Sequence, residues 1–215
     1  QATDPRAKDV VEMLLRQFAR HNLRSVPALY LSCGIRELDE LADKGEVGIY
    51  LTSPPVSENN IAGPRYNPLN PHVQEVVRKI VAEIVGRYGH HESFAGLSIP
   101  MSPDTCTHLP AGDWGTDAVT IAHFMRDEKI AKTEIAEPEN PATLFREQPE
   151  LYQRWLQWRC RQMAKFYNQL AGELAKSPAP VKLYLALPES ATLSAKDGQQ
   201  RLRECGIDPR LLAQQ

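Results

Sequence analysis

The sequence lacks the patterns that mark several large classes of protein. It contains no H-E-x-x-H, no G-x-S-x-G, no P-loop and no G-x-G-x-x-G. The usual signatures of zinc proteases, serine hydrolases and nucleotide-binding folds are therefore missing. No apolar run approaches the roughly 18 residues that a membrane span needs, and no signal-peptide pattern opens the chain. We therefore expect no membrane span, no metal and no cofactor.

Net charge and cysteine spacing also indicate no particular class of partner, disulfide framework or metal site. The chain carries 25 Lys and Arg against 27 Asp and Glu, a formal net charge of −2, so we expect no nucleic-acid partner. Its four cysteines are far apart and form no C-x-x-C pair, which argues against a disulfide framework or a zinc site. Cys160 falls within a helical pattern, and we interpret it as a small buried side chain.

Apolar periodicity predicts helices that alternate with short strands. Short apolar runs predict strands over residues 25–32, 95–100 and 181–187, with a weaker candidate over 47–51. Helices are predicted from the N-cap Asp4 onward, over about 35–42, after Asn70-Pro71, after Thr116 or Asp117, and over about 150–176.

Strands joined by helices in this order pair in parallel through right-handed crossovers, so the predicted fold class is α/β. The 215 residues fall short of the roughly 250 of a complete TIM barrel. We interpret residues 1–215 as a single α/β segment. The pattern alone leaves open whether it is part of a (β/α)₈ barrel or a small open sheet.

A resemblance to a known family begins at Arg65. The run RYNPLNPHVQEVVRKIVAEIVGRYGHHESFAGLSI resembles a segment of the family-10-like glycosyl hydrolases, bacterial proteins with TIM-barrel catalytic domains. In that family a YNP…P element opens a helix, and an RY…H-x-S-F-x-G element leads into a central barrel strand. The runs WGTDAVTIAHFMRDEKI and YQRWLQWRCRQMAKFY resemble the same group, and the similarity spans about residues 30–187.

The resemblance implies a partial (β/α)₈ TIM barrel with parallel strands and outer helices. It would carry the second or third through the fifth or sixth strands, and the remainder of its own barrel domain would be its structural partner. It also implies a carbohydrate substrate or ligand and an extracytoplasmic or secreted location.

Two carboxylates are candidates for catalysis. Barrel chemistry lies just after the strands, and glycoside hydrolysis normally needs two carboxyl groups beside the bond. Asp104 and Glu189 each follow a predicted strand by a few residues, which makes Asp104 the candidate acid/base residue and Glu189 its partner. Alternatively, Asp104 stabilises a plain turn and Glu189 caps the next helix. The alternative function is a non-catalytic carbohydrate-binding or structural module.

Three further residues are candidates for substrate binding at loops. Trp114 lies in a polar loop, where its ring could stack on a sugar or fix the loop to the barrel rim. Tyr66 is a second stacking candidate. Tyr66 and Asn67 also precede a helix N-terminus, whose free N–H groups favour polar ligands. The alternative for Asn67 is a capping or turn role.

The long predicted helix adds a fourth candidate. Arg159 could bind a substrate carboxylate through two hydrogen bonds, or it could hold the 101–115 loop in place. Trp155 and Trp158 are three residues apart, which favours core packing. His90 and His91 follow the helix stop at Gly89, a position that suits the negative end of the helix dipole, and we expect no metal there.

Overall fold

The computed structural model describes residues 9–51, 66–102, 105–131, 145, 147–187 and 196–213. Within these ranges the order of elements is α1 (Val10–Arg20), α2 (Arg36–Asp43), α3 (Pro71–Tyr88), β1 (Gly96–Pro100), α4 (Ala118–Glu128), α5 (Pro149–Leu174), β2 (Lys182–Ala186), α6 (Lys196–Glu204) and α7 (Pro209–Ala213). The α/β prediction is confirmed.

Local capping residues explain where α1, α3 and α4 begin. Asn70 accepts a hydrogen bond from the backbone N–H of His72 at 2.8 Å, Pro71 occupies the first position of α3, and Gly89 ends that helix. Asp117 caps α4 in the same way, one of the two starting residues that the sequence predicts. The prediction for α1 is wrong at its start: the N-cap is Asp9, and Asp4 lies outside the described residues.

A cluster of aromatic side chains joins α4 to α5. The Phe124 ring lies edge-on to Trp155, with centroids 5.2 Å apart, and its centroid is 5.6 Å from that of Trp158. Both tryptophans are buried, which confirms the prediction that they pack in the core. Cys160, on the same helix, is buried as predicted. None of the described helices is long and apolar enough to cross a membrane.

β1 and β2 form a parallel pair. Their register runs from Gly96 opposite Lys182 to Pro100 opposite Ala186, and the chain between them contains α4 and α5. Such a crossover is what a parallel pair requires. The predicted strands over 95–100 and 181–187 are confirmed.

The segment predicted as a strand over 25–32 lies against the other edge of β1 but is not a regular strand. It makes two isolated parallel bridges, Ser25 with Phe94 and Ala28 with Ser98. Pro27 accepts a hydrogen bond from Ser98 but has no N–H to donate, so the ladder is interrupted. The weaker candidate over 47–51 is not part of this sheet, because Tyr50 bridges antiparallel to Tyr66.

Among the described residues, helices pack on one face of this sheet. Leu97 and Ile99 are buried in the hydrophobic core, and α5, which contacts β2, packs against α3. The opposite face carries a row formed by Ala28, Ser98 and Tyr184, in which the Tyr184 side chain is 44% exposed. Within the described residues the sheet is therefore one-sided, and no closed barrel is seen.

Candidate functional site

The carboxyl ends of β1 and β2 lie side by side. Pro100 pairs with Ala186, and the backbone N–H of Met101 donates to the Ala186 carbonyl at 2.9 Å. The loop that follows β1 then packs against the first half of α5. The catalytic candidates Asp104 and Glu189 belong to the chain segments that leave this edge, but both lie outside the described residues.

Arg159 holds the loop after β1 in place from within the core. Its side chain is fully buried, and its two terminal nitrogens donate to the carbonyls of Gly112 and Ala111, each at 2.7 Å. Trp155 Nε1 donates to the same Gly112 carbonyl at 2.9 Å, and the Arg159 guanidinium carbon lies 5.4 Å from the Trp155 ring centroid. These contacts match the loop-holding role and leave no exposed guanidinium for a substrate carboxylate.

Burial also sets the charge state of the groups under this loop. Desolvation lowers the pKa of Arg159 to about 10, which keeps the guanidinium protonated at neutral pH. Burial, assisted by the nearby Arg159 charge, lowers the pKa of His108 to about 4, so that imidazole is neutral. Among the buried side-chain atoms described, His108 Nδ1 and Arg159 Nε have no hydrogen-bond partner. The loop is thus held by a buried cation, with a neutral imidazole nearby.

A cleft of about 490 Å³ lies beside the loop that Arg159 holds in place. It is lined by Ala111, Gly112, Asp113, Phe145, Pro149, Tyr152 and Glu204. The Tyr152 ring packs directly on Gly112, where an added Cβ would lie 2.0 Å from the Tyr152 hydroxyl oxygen. Carboxylates accept hydrogen bonds from sugar hydroxyls, and aromatic rings stack on the apolar faces of sugars.

This cleft was not predicted from the sequence. Asp113 has a weak signal, because it directly precedes the candidate Trp114 in a loop after a strand. Glu204 and Tyr152 have none, since they belong to helices separated from that loop by tens of residues. Their approach to Asp113 depends on tertiary packing.

Trp114 lies at the end of the same loop. Its side chain is partly buried and packs against the hydrophobic core, and its backbone N–H donates to the Ala111 carbonyl at 3.4 Å. The part of the ring that stays accessible leaves both the stacking and the loop-fixing interpretations open.

Tyr66 and Asn67 lie in the core. Tyr66 is 1% exposed, its hydroxyl donates to Asp39 at 2.8 Å, and burial raises its pKa. Asn67 is fully buried, and its Nδ2 donates to Asp117 Oδ2 and Thr120 Oγ1, each at 3.0 Å. Tyr66 therefore offers no accessible ring face to a sugar. The contacts of Asn67 fit the capping and turn role instead of ligand binding.

One group of described side chains has the spacing of a metal site, although we expect no metal at His90 and His91 from the sequence. Glu12, His90 and His91 bring one potential ligand atom each to within 4.8 Å of one another. They lie near the amino end of β1, away from the cleft.

Comparisons with known proteins do not assign a family. No protein-family model matches this sequence, and a search of curated proteins finds no match.

Proposed function

We propose that this chain is a segment of a glycoside-hydrolase-like (β/α)₈ barrel that hydrolyses glycosidic bonds in a polysaccharide. One observation carries the proposal: β1 and β2 stay paired to their last residues, so the chain leaves both strands at one edge of the sheet. Asp104 follows the end of β1 by four positions, and Glu189 follows the end of β2 by three. Barrel enzymes have their active sites at this edge.

The one-sided sheet supports the barrel part of the proposal. In a (β/α)₈ barrel the helices cover the outer face of the strands, while the inner face packs against the other strands. The buried Leu97 and Ile99 and the exposed Tyr184 follow this division. A complete open α/β sheet would instead place helices on both faces.

In this proposal Asp104 acts as the acid/base residue. Its protonated carboxyl donates a proton to the leaving glycosidic oxygen, and Glu189 either attacks the anomeric carbon or activates a water molecule. Carboxyl groups about 5–5.5 Å apart would favour retention of configuration, and a separation of about 6.5–9.5 Å would favour inversion.

Sugar release from a panel of polysaccharides tests the catalytic proposal. The chain should release reducing ends from at least one substrate, and D104N and E189Q should abolish the release while the circular dichroism spectrum is unchanged. D43N is the matched control, because Asp43 is an exposed carboxylate at the end of α2 and should be dispensable. Unchanged turnover in D104N would refute the assignment.

A second candidate is a non-catalytic carbohydrate-binding module. The observation that favours it is the cleft itself, in which Asp113 and Glu204 lie with the rings of Phe145 and Tyr152. Affinity electrophoresis in polysaccharide gels measures this binding. Retardation without sugar release, lost in a D113N/E204Q double variant and kept in D104N, supports the binding module; retardation unaffected by D113N/E204Q contradicts it.

A further inference from the structure

The amino-terminal edge of the sheet carries a second cluster of side chains, independent of the proposed function. Helix α1 contacts the turn between α3 and β1, and Glu12 of α1 meets His90 and His91 of that turn. His91 Nε2 lies 2.5 Å from Glu12 Oε2, and the two imidazole rings have centroids 4.1 Å apart. A plain ion pair would need only one of these histidines.

Hydrogen bonds on both sides hold the two parts of this cluster in place. The Tyr88 hydroxyl donates to Asp9 Oδ2 at 2.9 Å, and Ser93 Oγ donates to the Leu15 carbonyl at 2.7 Å. The backbone N–H of His91 donates to the Tyr88 carbonyl at 3.0 Å. These hydrogen bonds therefore bring the three potential ligand atoms together without involving those atoms themselves.

We propose that Glu12, His90 and His91 bind a Zn²⁺ ion, with water completing the coordination. Zinc takes imidazole nitrogen and carboxylate oxygen at about 2.0–2.2 Å in a tetrahedral arrangement, which places neighbouring ligand atoms about 3.3 Å apart. The three ligand atoms lie within 4.8 Å of one another, and zinc binding would require side-chain rotations that bring them to that spacing. Two imidazoles favour zinc over calcium or magnesium, which prefer oxygen ligands.

Arg16 limits how Glu12 can take part. Arg16 Nε donates to Glu12 Oε1 at 2.7 Å, which leaves Oε2 as the oxygen that faces His91. The carboxylate therefore binds the ion through one oxygen. Because Glu12 and His91 are 79 positions apart in the sequence, a bound ion would link α1 to the turn before β1.

Calorimetric titration of the untagged chain with zinc chloride tests this site. We expect one ion per chain and a rise in melting temperature that EDTA reverses. H90A, H91A and E12Q should each weaken binding at least about tenfold, since changes to outer-shell residues alone often cost that much. His90 is exposed, so H90A should leave the fold intact.

H72A is the matched control. His72 Nε2 lies 3.5 Å from Glu46 Oε1, a histidine–carboxylate pair that includes no second histidine, and its loss should leave zinc binding unchanged. Addition of Co²⁺ should give visible absorption bands that disappear in H90A. Absence of zinc binding, or binding that H90A and H91A leave within twofold of the original, would overturn the proposal.

Discussion

At the scale of single residues, Arg159 is the side chain on which the candidate site most depends. A fully buried guanidinium holds two carbonyls of the loop below the cleft, and no other described side chain donates to the Ala111 carbonyl. The sequence placed Arg159 on the long helix and named loop anchoring as one of its two roles. It could not choose between them, because burial depends on how α5 packs.

Replacement of Arg159 by leucine should lower the free energy of unfolding by about 3 kcal/mol, since the Gly112 and Ala111 carbonyls then lose their charged donor. Urea denaturation measures the change. R161L is the control on the same helix: Arg161 pairs with Glu128, and its side chain is 42% exposed, so its loss should cost less than about 1 kcal/mol. Equal losses in the two variants would contradict the anchoring role.

His108 makes stability depend on pH. The unfolded imidazole takes up a proton near its ordinary pKa of 6.5, whereas the buried imidazole does so only near pH 4. The unfolded state therefore binds more protons between these values, and stability should fall by about 3 kcal/mol as the pH drops from 6.5 to 4. Urea denaturation across this range measures the slope.

H108L should remove this part of the pH dependence, whereas H21A, at an exposed histidine that follows α1, should keep it. An identical slope in the parent chain and H108L would show that His108 is not the group responsible.

At the scale of elements, the sequence predicts where a helix begins and ends when the capping residues lie next to it in the chain. The cap at Asn70, Pro71 and Gly89 fixes α3 without help from the rest of the chain, and the structure confirms it. The 25–32 strand was mistaken because Pro27 breaks the hydrogen-bond ladder within an apolar run. Tyr66 is a sugar-stacking candidate in the sequence because the sequence does not reveal its distant partner, Asp39.

The N-cap residues of α4 and α1 should differ in how much each one stabilises the fold. Asp117 caps α4 through Thr120 and also accepts the Asn67 Nδ2 hydrogen bond in the interior. Its replacement by alanine should cost about 2–3 kcal/mol, whereas D9A at the exposed cap of α1 should cost less. Chemical denaturation of the two variants compares them, and a smaller loss in D117A than in D9A would contradict the difference in burial.

At the scale of the whole molecule, the dominant feature is the sheet face that no helix of the described residues covers. Tyr184 is 44% exposed in the middle of a parallel strand, where side chains are normally buried on both faces. The sequence predicted parallel strands and outer helices. It does not reveal which face lacks cover, because cover depends on tertiary packing between distant segments.

An uncovered sheet face should promote self-association. Sedimentation velocity should show oligomers that increase with protein concentration, and Y184S should shift the distribution toward the monomer because it removes an exposed apolar ring. V47S is the control, since Val47 is 56% exposed but lies outside the sheet. A strictly monomeric parent chain would contradict this prediction.

The carboxyl edge of the same sheet is the basis of the proposed function. The distance between the Asp104 and Glu189 carboxyl groups in a crystal structure of the chain tests it most directly. We predict that both groups face one cleft and are separated by about 5–10 Å, as a pair that cleaves glycosides requires. Carboxyl groups that point apart, or that lie on different faces of the sheet, would contradict catalysis by this pair.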